Sequence, residues 1–476
     1  MLFNSVHFLI FFPIVVGIYY FLPHKYRWFV LLTASYYFYM VWRPIYILLI
    51  VFSTIVDYYA SIWIHKSTKK SRKRIFLTLS LLSNLGILFT FKYLGFFTEF
   101  LNLFRQENFD VIYLLLPMGI SFYTFQTLSY TIDVFRGQRD PEYHLGIFAL
   151  YVTFFPQLVA GPIERSDRLI PQFRKNISFD INNLEEGLYR MSWGFFKKVL
   201  IADNLAIAVN HVYGNLESMS GFTIIFATLF FAYQIYLDFS GYSDIAIGAA
   251  KILGIDLMEN FRRPYFAKSI RDFWSRWHIS LTSWFKDYVY IPLGGSRKGE
   301  LRTYANIFLV FLISGLWHGA SIMFILWGLI HGLAQLLERL FQKFFSRFWR
   351  FIKLDNSKVQ YIIQWLVTMS IVLLSWVFFR AQSLAEIQLI FTSVTDSLLD
   401  GISFSEIYRG LTSTAIDKYR FYVVVASIFV LESVQYLKEN DKYIPHSYQP
   451  IFYASIIWAT IMFGSFGLNE FIYFQF

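Results

Sequence analysis

Long apolar runs, separated by short polar stretches, repeat along nearly the whole chain. A bilayer core is crossed by about 20 apolar residues in a helix, so runs of this kind predict membrane-spanning helices. The predicted spans are 6–22, 28–42, 44–64, 75–93, 111–130, 145–162, 187–209, 221–238, 304–317, 321–340, 360–379, 421–437 and 451–467. The pattern predicts an all-α, polytopic membrane protein with about eleven to thirteen membrane segments.

The middle of the chain breaks this pattern. The run "LLLPMGISFYTF" contains Pro117 and Gly119, "FFPQLVAGPIERSDR" contains further Pro and Gly, and 238–300 mixes charged residues with apolar patches. Irregular backbone at membrane depth survives only where it is buried in protein or lines water. We therefore expect re-entrant and amphipathic elements around a cavity. The chain is interpreted as one membrane domain, with N-terminal spans in 1–110, a motif-bearing core in 111–340 and C-terminal spans in 341–476.

Composition supports a membrane location and excludes several chemistries. The chain is 56% hydrophobic and 16% charged, whereas soluble proteins have about 25% charged residues. Its net charge of +10 is explained by cytoplasmic loops beside anionic lipid headgroups, so nucleic acid is not a predicted partner. The absence of cysteine excludes disulfides, thiolate metal sites and a cysteine nucleophile within this chain.

Basic clusters predict the orientation. Lys25 and Arg27 follow the first span, and a denser cluster lies at 66–74 after the third. Two spans separate the clusters, so both can be cytoplasmic, and the N-terminus then faces outward. The N-terminal segment lacks a basic start and a small-residue cleavage site, which is typical of an uncleaved first span and not of a signal peptide.

Two histidines are the strongest candidates for chemistry. His278 lies in "RDFWSRWHIS" and His318 in "LISGLWHGA". Imidazole exchanges protons near neutral pH and is the usual general base, and ionisable groups at membrane depth commonly line a reaction path. The structural alternatives are a Trp/Arg-rich interfacial helix around His278 and a neutral, hydrogen-bonded His318. His331 is a weaker candidate, because its neighbours in sequence are apolar.

A second polar cluster lies at 238–244, in "YLDFSGYSD". Asp238 and Asp244 are candidates for a functional site, and the structural alternative is a hydrogen-bond network that holds a bent helix. The sequence contains no Gly-x-Ser-x-Gly elbow, no phosphate loop and no HExxH motif. The segments around the two histidines offer no further ligand pair at helical spacing, so no metal site is predicted.

These motifs together resemble the membrane-bound O-acyltransferases, in particular the bacterial branch that contains the membrane subunit of alginate O-acetylation. The resemblance runs almost end to end. It rests on the segments 115–137, 154–165, 194–206, 233–248, 259–297, 315–332, 376–381 and the terminal "FIYFQF". A related branch exports D-alanine to teichoic acids and shares much of the core, but the long C-terminal extension favours the polysaccharide-acetylating branch.

The resemblance implies a fold around a tunnel in the bacterial cytoplasmic (inner) membrane and an O-acetyltransferase reaction. The family's catalytic histidine falls on His318, and its second polar position falls on His278. Candidates for the tunnel wall, which lie in or beside the motifs, are Trp277, Trp317, Asp287, Asp244 and Tyr242. His318 is expected to act as general base, and His278 to position the acyl group or stabilise the oxyanion.

The same resemblance implies the reactants. The expected donor is cytoplasmic acetyl-CoA or another acyl thioester, with no bound cofactor. The expected acceptor is an extracytoplasmic partner of the SGNH type, which then acetylates a polysaccharide; a covalent acyl-enzyme is a less favoured variant. The alternatives are D-alanyl transfer to teichoic acid, peptidoglycan O-acetylation and, in a different class, a polymer-precursor transporter.

Overall fold

The computed structural model describes residues 1–104, 109–112, 114–412, 418–440, 442, 444–467 and 471–472. All regular elements in these ranges are helical, which confirms the all-α prediction. The α-helices are α1 Val6–Phe21, α2 His24–Met40, α3 Ile47–Lys66, α4 Lys70–Lys92, α5 Leu94–Asn102, α6 Ile120–Arg136, α7 Leu145–Thr153, α8 Phe155–Leu158, α9 Ser166–Phe173, α10 Ile181–Phe195, α11 Asp203–Tyr213, α12 Gly221–Ile252, α13 Ile270–Arg276, α14 Ile279–Phe285, α15 Glu300–His318, α16 Ile322–Phe351, α17 Lys358–Arg380, α18 Leu384–Asp400, α19 Phe404–Thr412, α20 Lys418–Glu439 and α21 Gln449–Phe463. Of the terminal motif, 473–476 lie outside the described residues.

Within this described part of the chain, six helical segments are long and apolar enough to cross a membrane. They are Pro44–Lys66, which includes α3, and the helices α4, α12, α16, α17 and α20. The shorter α1 is apolar as well. The chain is therefore a multi-pass membrane protein, and the other predicted spans correspond to shorter or interrupted helices.

Three predicted spans are interrupted for identifiable reasons. The span predicted at 111–130 becomes helical only at Ile120, because Gly119 adopts a left-handed φ of 73° and packs so closely that a Cβ there would lie 2.6 Å from the Leu158 carbonyl oxygen. The span at 145–162 is helical to Thr153 and then continues as the short helix α8. The span at 187–209 is divided by a π-helix at Phe196–Ala202.

The chain divides into two compact units. Unit 1 comprises Met1–Met191 and Tyr242–Glu259, and unit 2 comprises Ser192–Gly241 and Asn260–Ile472.

In unit 1, the loop before α7 contacts residues near both basic clusters. The His144 ring lies 4.7 Å from the Trp28 ring at the start of α2. Asp140 lies 3.6 Å from His65 at the end of α3. Both clusters are thus at one end of unit 1, as a shared cytoplasmic location requires.

In unit 2, glycines allow α15 and α16 to pack backbone to backbone. A Cβ on Gly315 would lie 2.3 Å from the Phe324 carbonyl oxygen, and one on Gly328 would lie 2.4 Å from that of Phe311. The helices are joined by a short turn after His318, so the close crossing fixes the position of this residue.

Candidate active site

His278 occupies a sharp backbone turn between two short helices. It lies between α13 and α14 with φ 42° and ψ 56°, a left-handed conformation that non-glycine residues rarely adopt. Its side chain is fully buried, with the ring against Phe239 at a centroid distance of 4.6 Å. Strained backbone of this kind persists where surrounding contacts hold it and is concentrated at functional sites.

Asn260 holds His278 from the neighbouring segment. The Ile279 N–H donates to the Asn260 carbonyl at 2.9 Å, and His278 Nδ1 lies 3.3 Å from Asn260 Oδ1. The Ser280 backbone N–H and its hydroxyl both donate to that Oδ1. A backbone N–H can only donate, so the amide orientation is fixed and Nδ1 carries the proton of the neutral ring. The lone pair therefore lies on Nε2.

Burial keeps this ring neutral. His278 lies outside the six long apolar helical segments, and its desolvation lowers the pKa of the imidazole to about 3. A buried imidazole resists protonation because the charged form loses its hydration. His278 is thus a neutral hydrogen-bond acceptor at Nε2.

His318 lies at the last position of α15, where the chain turns into α16. Its side chain is 3% exposed. The ring is surrounded by Trp317 and Trp327, each at 4.8 Å, and by Phe379 at 5.4 Å between centroids. Gly319 follows because a Cβ there would lie 2.2 Å from the Phe324 ring. The glycine of the "WHG" sequence is therefore required by packing at the turn.

Trp317 connects the two histidines. Its ring lies 6.3 Å from that of His278 and 4.8 Å from that of His318. It is buried, as are both imidazoles. The fold thus brings both predicted histidines to one aromatic side chain inside unit 2.

The remaining predicted tunnel residues have separate settings. Trp277 is buried in unit 2, with its ring 5.1 Å from Trp376. Asp287 is half-buried in a π-helix at 286–290. Tyr242 and Asp244 belong to unit 1, where the Tyr242 ring lies 4.4 Å from Phe3 and Asp244 pairs with Arg190 at 2.5 Å.

His331 is accounted for by a structural contact. It is fully buried, and its Nδ1 accepts a hydrogen bond from the Trp274 indole N–H at 3.3 Å. The ring also stacks on Phe273. The polar partner of His331 comes from another helix, which its apolar neighbours in sequence could not indicate.

Asn260 and Phe239 are residues of this site that the sequence reasoning did not single out. Both lie inside motifs used for the resemblance, "ENFRRP" and "YLDFSG". Neither residue has helical spacing to His278, so spacing could not indicate the contact. Only their place in these motifs could have pointed to a role at the site.

Comparison with known proteins adds independent information. The family model for the membrane-bound O-acyltransferases matches residues 26–380. A probable alginate O-acetylase of Pseudomonas putida is 40% identical over 393 residues, covering 81% of this chain and 78% of the relative. A peptidoglycan O-acetyltransferase of Helicobacter pylori is 38% identical over 380 residues, covering 74% and 71%. A teichoic acid D-alanyltransferase of Bacillus subtilis is 30% identical over 249 residues, covering 48% and 61%.

The buried histidines, the apolar helices and the extent of these matches agree with one another. The match to the family model covers most of the chain and includes both His278 and His318. The chain belongs to the membrane-bound O-acyltransferase family and is a multi-pass bacterial membrane enzyme that transfers acyl groups to oxygen.

Proposed function

We propose that the enzyme takes an acetyl group from a cytoplasmic thioester and delivers it, across the membrane, for O-acetylation of an extracytoplasmic polysaccharide. The observation that carries this proposal is the contact of both buried histidines, His278 and His318, with Trp317. Acyl transfer from a thioester needs a general base and a second polar group that orients the reactants, and these rings supply both.

In the proposed reaction, His318 is the general base. It removes the proton from an acceptor hydroxyl, whose oxygen attacks the carbonyl carbon of the acetyl thioester. The tetrahedral intermediate collapses, the C–S bond breaks, and the proton passes from His318 to the departing thiolate. The products are an acetyl ester and a free thiol, so no external oxidant or reductant is required.

His278 is proposed to position the acyl group. A neutral ring with its proton on Nδ1 has no proton on Nε2 to give to an oxyanion. The contact of Nδ1 with Asn260 therefore favours positioning over oxyanion stabilisation. Nε2 can accept a hydrogen bond from an N–H or O–H group of the thioester donor and so hold the acyl carbon in line with the attacking oxygen.

The acceptor hydroxyl is proposed to belong to an extracytoplasmic SGNH-type partner, with acetyl-CoA as the donor. Relatives named for alginate and for peptidoglycan O-acetylation have similar sequence identity to this chain, 40% and 38%. Experiment must therefore decide whether the polymer that is acetylated is alginate-like or peptidoglycan. The D-alanyltransferases match a smaller share of the chain, which favours acetyl over D-alanyl transfer.

The test is the variant His318→Ala, assayed for acetyl esters in isolated polysaccharide and peptidoglycan and for D-alanyl esters in the cell envelope. Loss of a general base lowers the rate by roughly 10²- to 10⁴-fold, so acetylation of one polymer should become barely detectable while the protein remains in the membrane. The polymer that loses acetate identifies the pathway.

His211→Ala is the matched control. His211 is a half-buried histidine in the last turn of α11 in the same unit, and its loss should leave acetylation close to the wild-type level. Near-normal acetylation in the His318 variant would contradict the proposed mechanism and favour a transporter, which does not need this base.

A further inference from the structure

Trp327 carries a buried hydrogen-bond donor beside the predicted base. Its side chain is 1% exposed, and its ring lies 4.8 Å from that of His318 at an interplanar angle of 82°. Among the residues that the structure describes, no acceptor reaches the indole N–H. Indole nitrogen can only donate, and buried Trp N–H groups are normally hydrogen-bonded. An orphaned donor that also lies beside the predicted base is a candidate to bind a reacting group that the described chain does not supply.

The surroundings of Trp327 come from three helices. His318 ends α15, Trp327 lies near the start of α16, and Phe379 lies near the end of α17. The Phe379 ring contacts both His318 and Trp327, each at 5.4 Å. The motifs "GLWHGASIMFILWGLIHG" and "WVFFRA" thus meet at this point. Of His318, Trp327 and Phe379, only His318 was assigned a role from sequence.

Trp376 is a useful comparison in the same aromatic cluster. It is equally buried, and its indole N–H also lacks an acceptor among the described residues. Its ring lies 6.3 Å from Trp327 and 5.1 Å from Trp277. It resembles Trp327 in burial and in its orphaned N–H, but the ring that contacts His318 is that of Trp327.

We propose that the indole N–H of Trp327 donates a hydrogen bond to the acyl oxygen of the thioester and stabilises the oxyanion that forms on it. This inference rests on the proposed function. When the acceptor oxygen attacks, the carbonyl π electrons move onto that oxygen; they return when the C–S bond breaks. A preorganised donor in a dry site stabilises this charge strongly, since little solvent competes with it.

The proposal also assigns a donor that the histidines do not provide. The neutral His278 ring has its proton on Nδ1, bound to Asn260, and His318 must be deprotonated to act as a base. The nitrogen through which each ring acts, Nε2 of His278 and the base nitrogen of His318, is therefore unprotonated at the moment of attack and cannot donate to the oxyanion. An N–H that never titrates, such as that of indole, is suited to this task.

The kinetic test replaces Trp327 by Phe, which retains an aromatic ring and removes the N–H. Loss of one hydrogen-bond donor to the oxyanion lowers kcat by roughly 10²- to 10³-fold. The KM for the thioester should stay within about twofold, since the hydrogen bond from Trp327 strengthens in the transition state. Trp376→Phe is the matched control and should retain kcat. Equal losses in both variants, or an unchanged kcat in Trp327→Phe, would overturn the assignment.

A second measurement separates this inference from the proposed function. Acetyl-CoA labelled with ¹³C at the carbonyl is bound to the His318→Ala protein, and the carbonyl stretch is recorded by difference infrared spectroscopy. The Trp327 N–H should lower the stretching frequency, and Trp327→Phe in the same background should restore it, whereas Trp376→Phe should not. A carbonyl stretching frequency that does not change in Trp327→Phe overturns the inference. This is also the result expected if the indole N–H donates to a buried water and not to the acyl oxygen.

This readout does not depend on turnover or on the acceptor. If the wild-type enzyme acetylates its acceptor and the Trp327→Phe variant does so at the same rate, only the role of the Trp327 N–H as hydrogen-bond donor is rejected. Wild-type protein that binds the thioester but acetylates no acceptor rejects the proposed function, and the carbonyl frequency still decides the role of Trp327. If the Phe variant does not fold, β-(3-benzothienyl)alanine at position 327 replaces the N–H by sulfur and keeps the shape of the ring.

Discussion

Burial keeps His278 neutral, and one neighbouring amide, that of Asn260, fixes its tautomer. The left-handed backbone at this residue costs about 1–3 kcal/mol, and the adjoining hydrogen bonds from Ile279 and Ser280 to Asn260 hold the turn against that cost. Asn260 thereby sets both the backbone and the ring. Because Asn260 is 1% exposed, water cannot replace it as a partner.

Replacing Asn260 by Leu should therefore impair catalysis more than stability alone explains. The Leu side chain fills a similar volume but cannot accept the Nδ1–H, so the ring loses its orientation, and kcat should fall roughly 10- to 100-fold per folded molecule. Asn260→Asp keeps an acceptor oxygen and should retain more activity. Steady-state kinetics on detergent-purified protein, corrected for folded fraction, measures both.

Ser280→Ala is the control for this prediction. It removes the 2.7 Å hydroxyl bond to the same Asn260 oxygen without removing the histidine's partner, so its kcat should stay within a few-fold of wild type. If Asn260→Leu is as active as Ser280→Ala, Asn260 does not control the ring.

At the scale of helical elements, the π-helix at Phe196–Ala202 meets α12 around a buried ionic cluster. Lys198 Nζ lies 2.8 Å from Asp203 Oδ1 and 2.6 Å from Asp238 Oδ1, and all three side chains are at most 5% exposed. Gly241 permits the close approach, since a Cβ there would lie 2.8 Å from the Gly194 carbonyl oxygen. Asp238 also accepts the Ile472 backbone N–H at 2.8 Å.

Lys198→Met should destabilise the protein strongly, because it leaves two buried carboxylates without their cation. Removing one partner of a buried ion pair costs about 3–5 kcal/mol. Asp203→Asn should cost much less, since Lys198 and Asp238 remain as a balanced pair. The midpoint of thermal unfolding in detergent, followed by tryptophan fluorescence, should fall most in Lys198→Met.

Lys251→Met is the matched control, because Lys251 also lies between two carboxylates, Glu186 and Asp256, each at 3.5 Å. These groups are partly exposed, and exposed pairs contribute about 0–1 kcal/mol. An equal decrease in the midpoint of thermal unfolding in the two lysine variants would show that the buried cluster stabilises the protein no more than the exposed one.

The apolar pattern predicted these elements unequally. Spans near 44–64, 304–317 and 360–379 match α3, α15 and α17 within a few residues, because an uninterrupted apolar run has few alternatives to a helix in a membrane. The π-helix was missed, since hydropathy does not report on backbone hydrogen-bond register. The start of α6 was misplaced, because the left-handed Gly119 depends on a contact with Leu158.

The candidate site was predictable only in part. The position of His318 followed from its motif, and Gly315 and Gly319 beside it are explained by close packing. By contrast, the Asn260–His278 contact, the ring contact of Trp327 with His318 and the pairing of Asp244 with Arg190 depend on tertiary structure. These contacts join residues that are far apart in sequence and have no fixed spacing. Local sequence therefore could not show that Asp244, a predicted tunnel-wall residue, forms an ion pair with Arg190.

At the scale of the whole molecule, orientation decides which face receives the donor. In unit 1, the basic cluster at 66–74 lies at the end that also holds Trp28 and His144. The opposite end is marked by Tyr46, whose ring lies 5.8 Å from Phe91 and whose hydroxyl donates to the Leu115 carbonyl. If the basic end is cytoplasmic, a thioester from the cytoplasm and an acceptor outside can reach the enzyme from different faces.

The natural chain has no cysteine, so a single introduced thiol reports orientation without background. Ser71→Cys, in the basic loop, should resist a membrane-impermeant maleimide in intact cells and react after lysis, because positively charged short loops are retained in the cytoplasm. Asp110→Cys is the matched control: residue 110 is exposed and follows α4 and α5 toward the Tyr46 end, so it should react in intact cells. Labelling of Ser71→Cys but not Asp110→Cys in intact cells would invert the orientation and place donor entry on the opposite face.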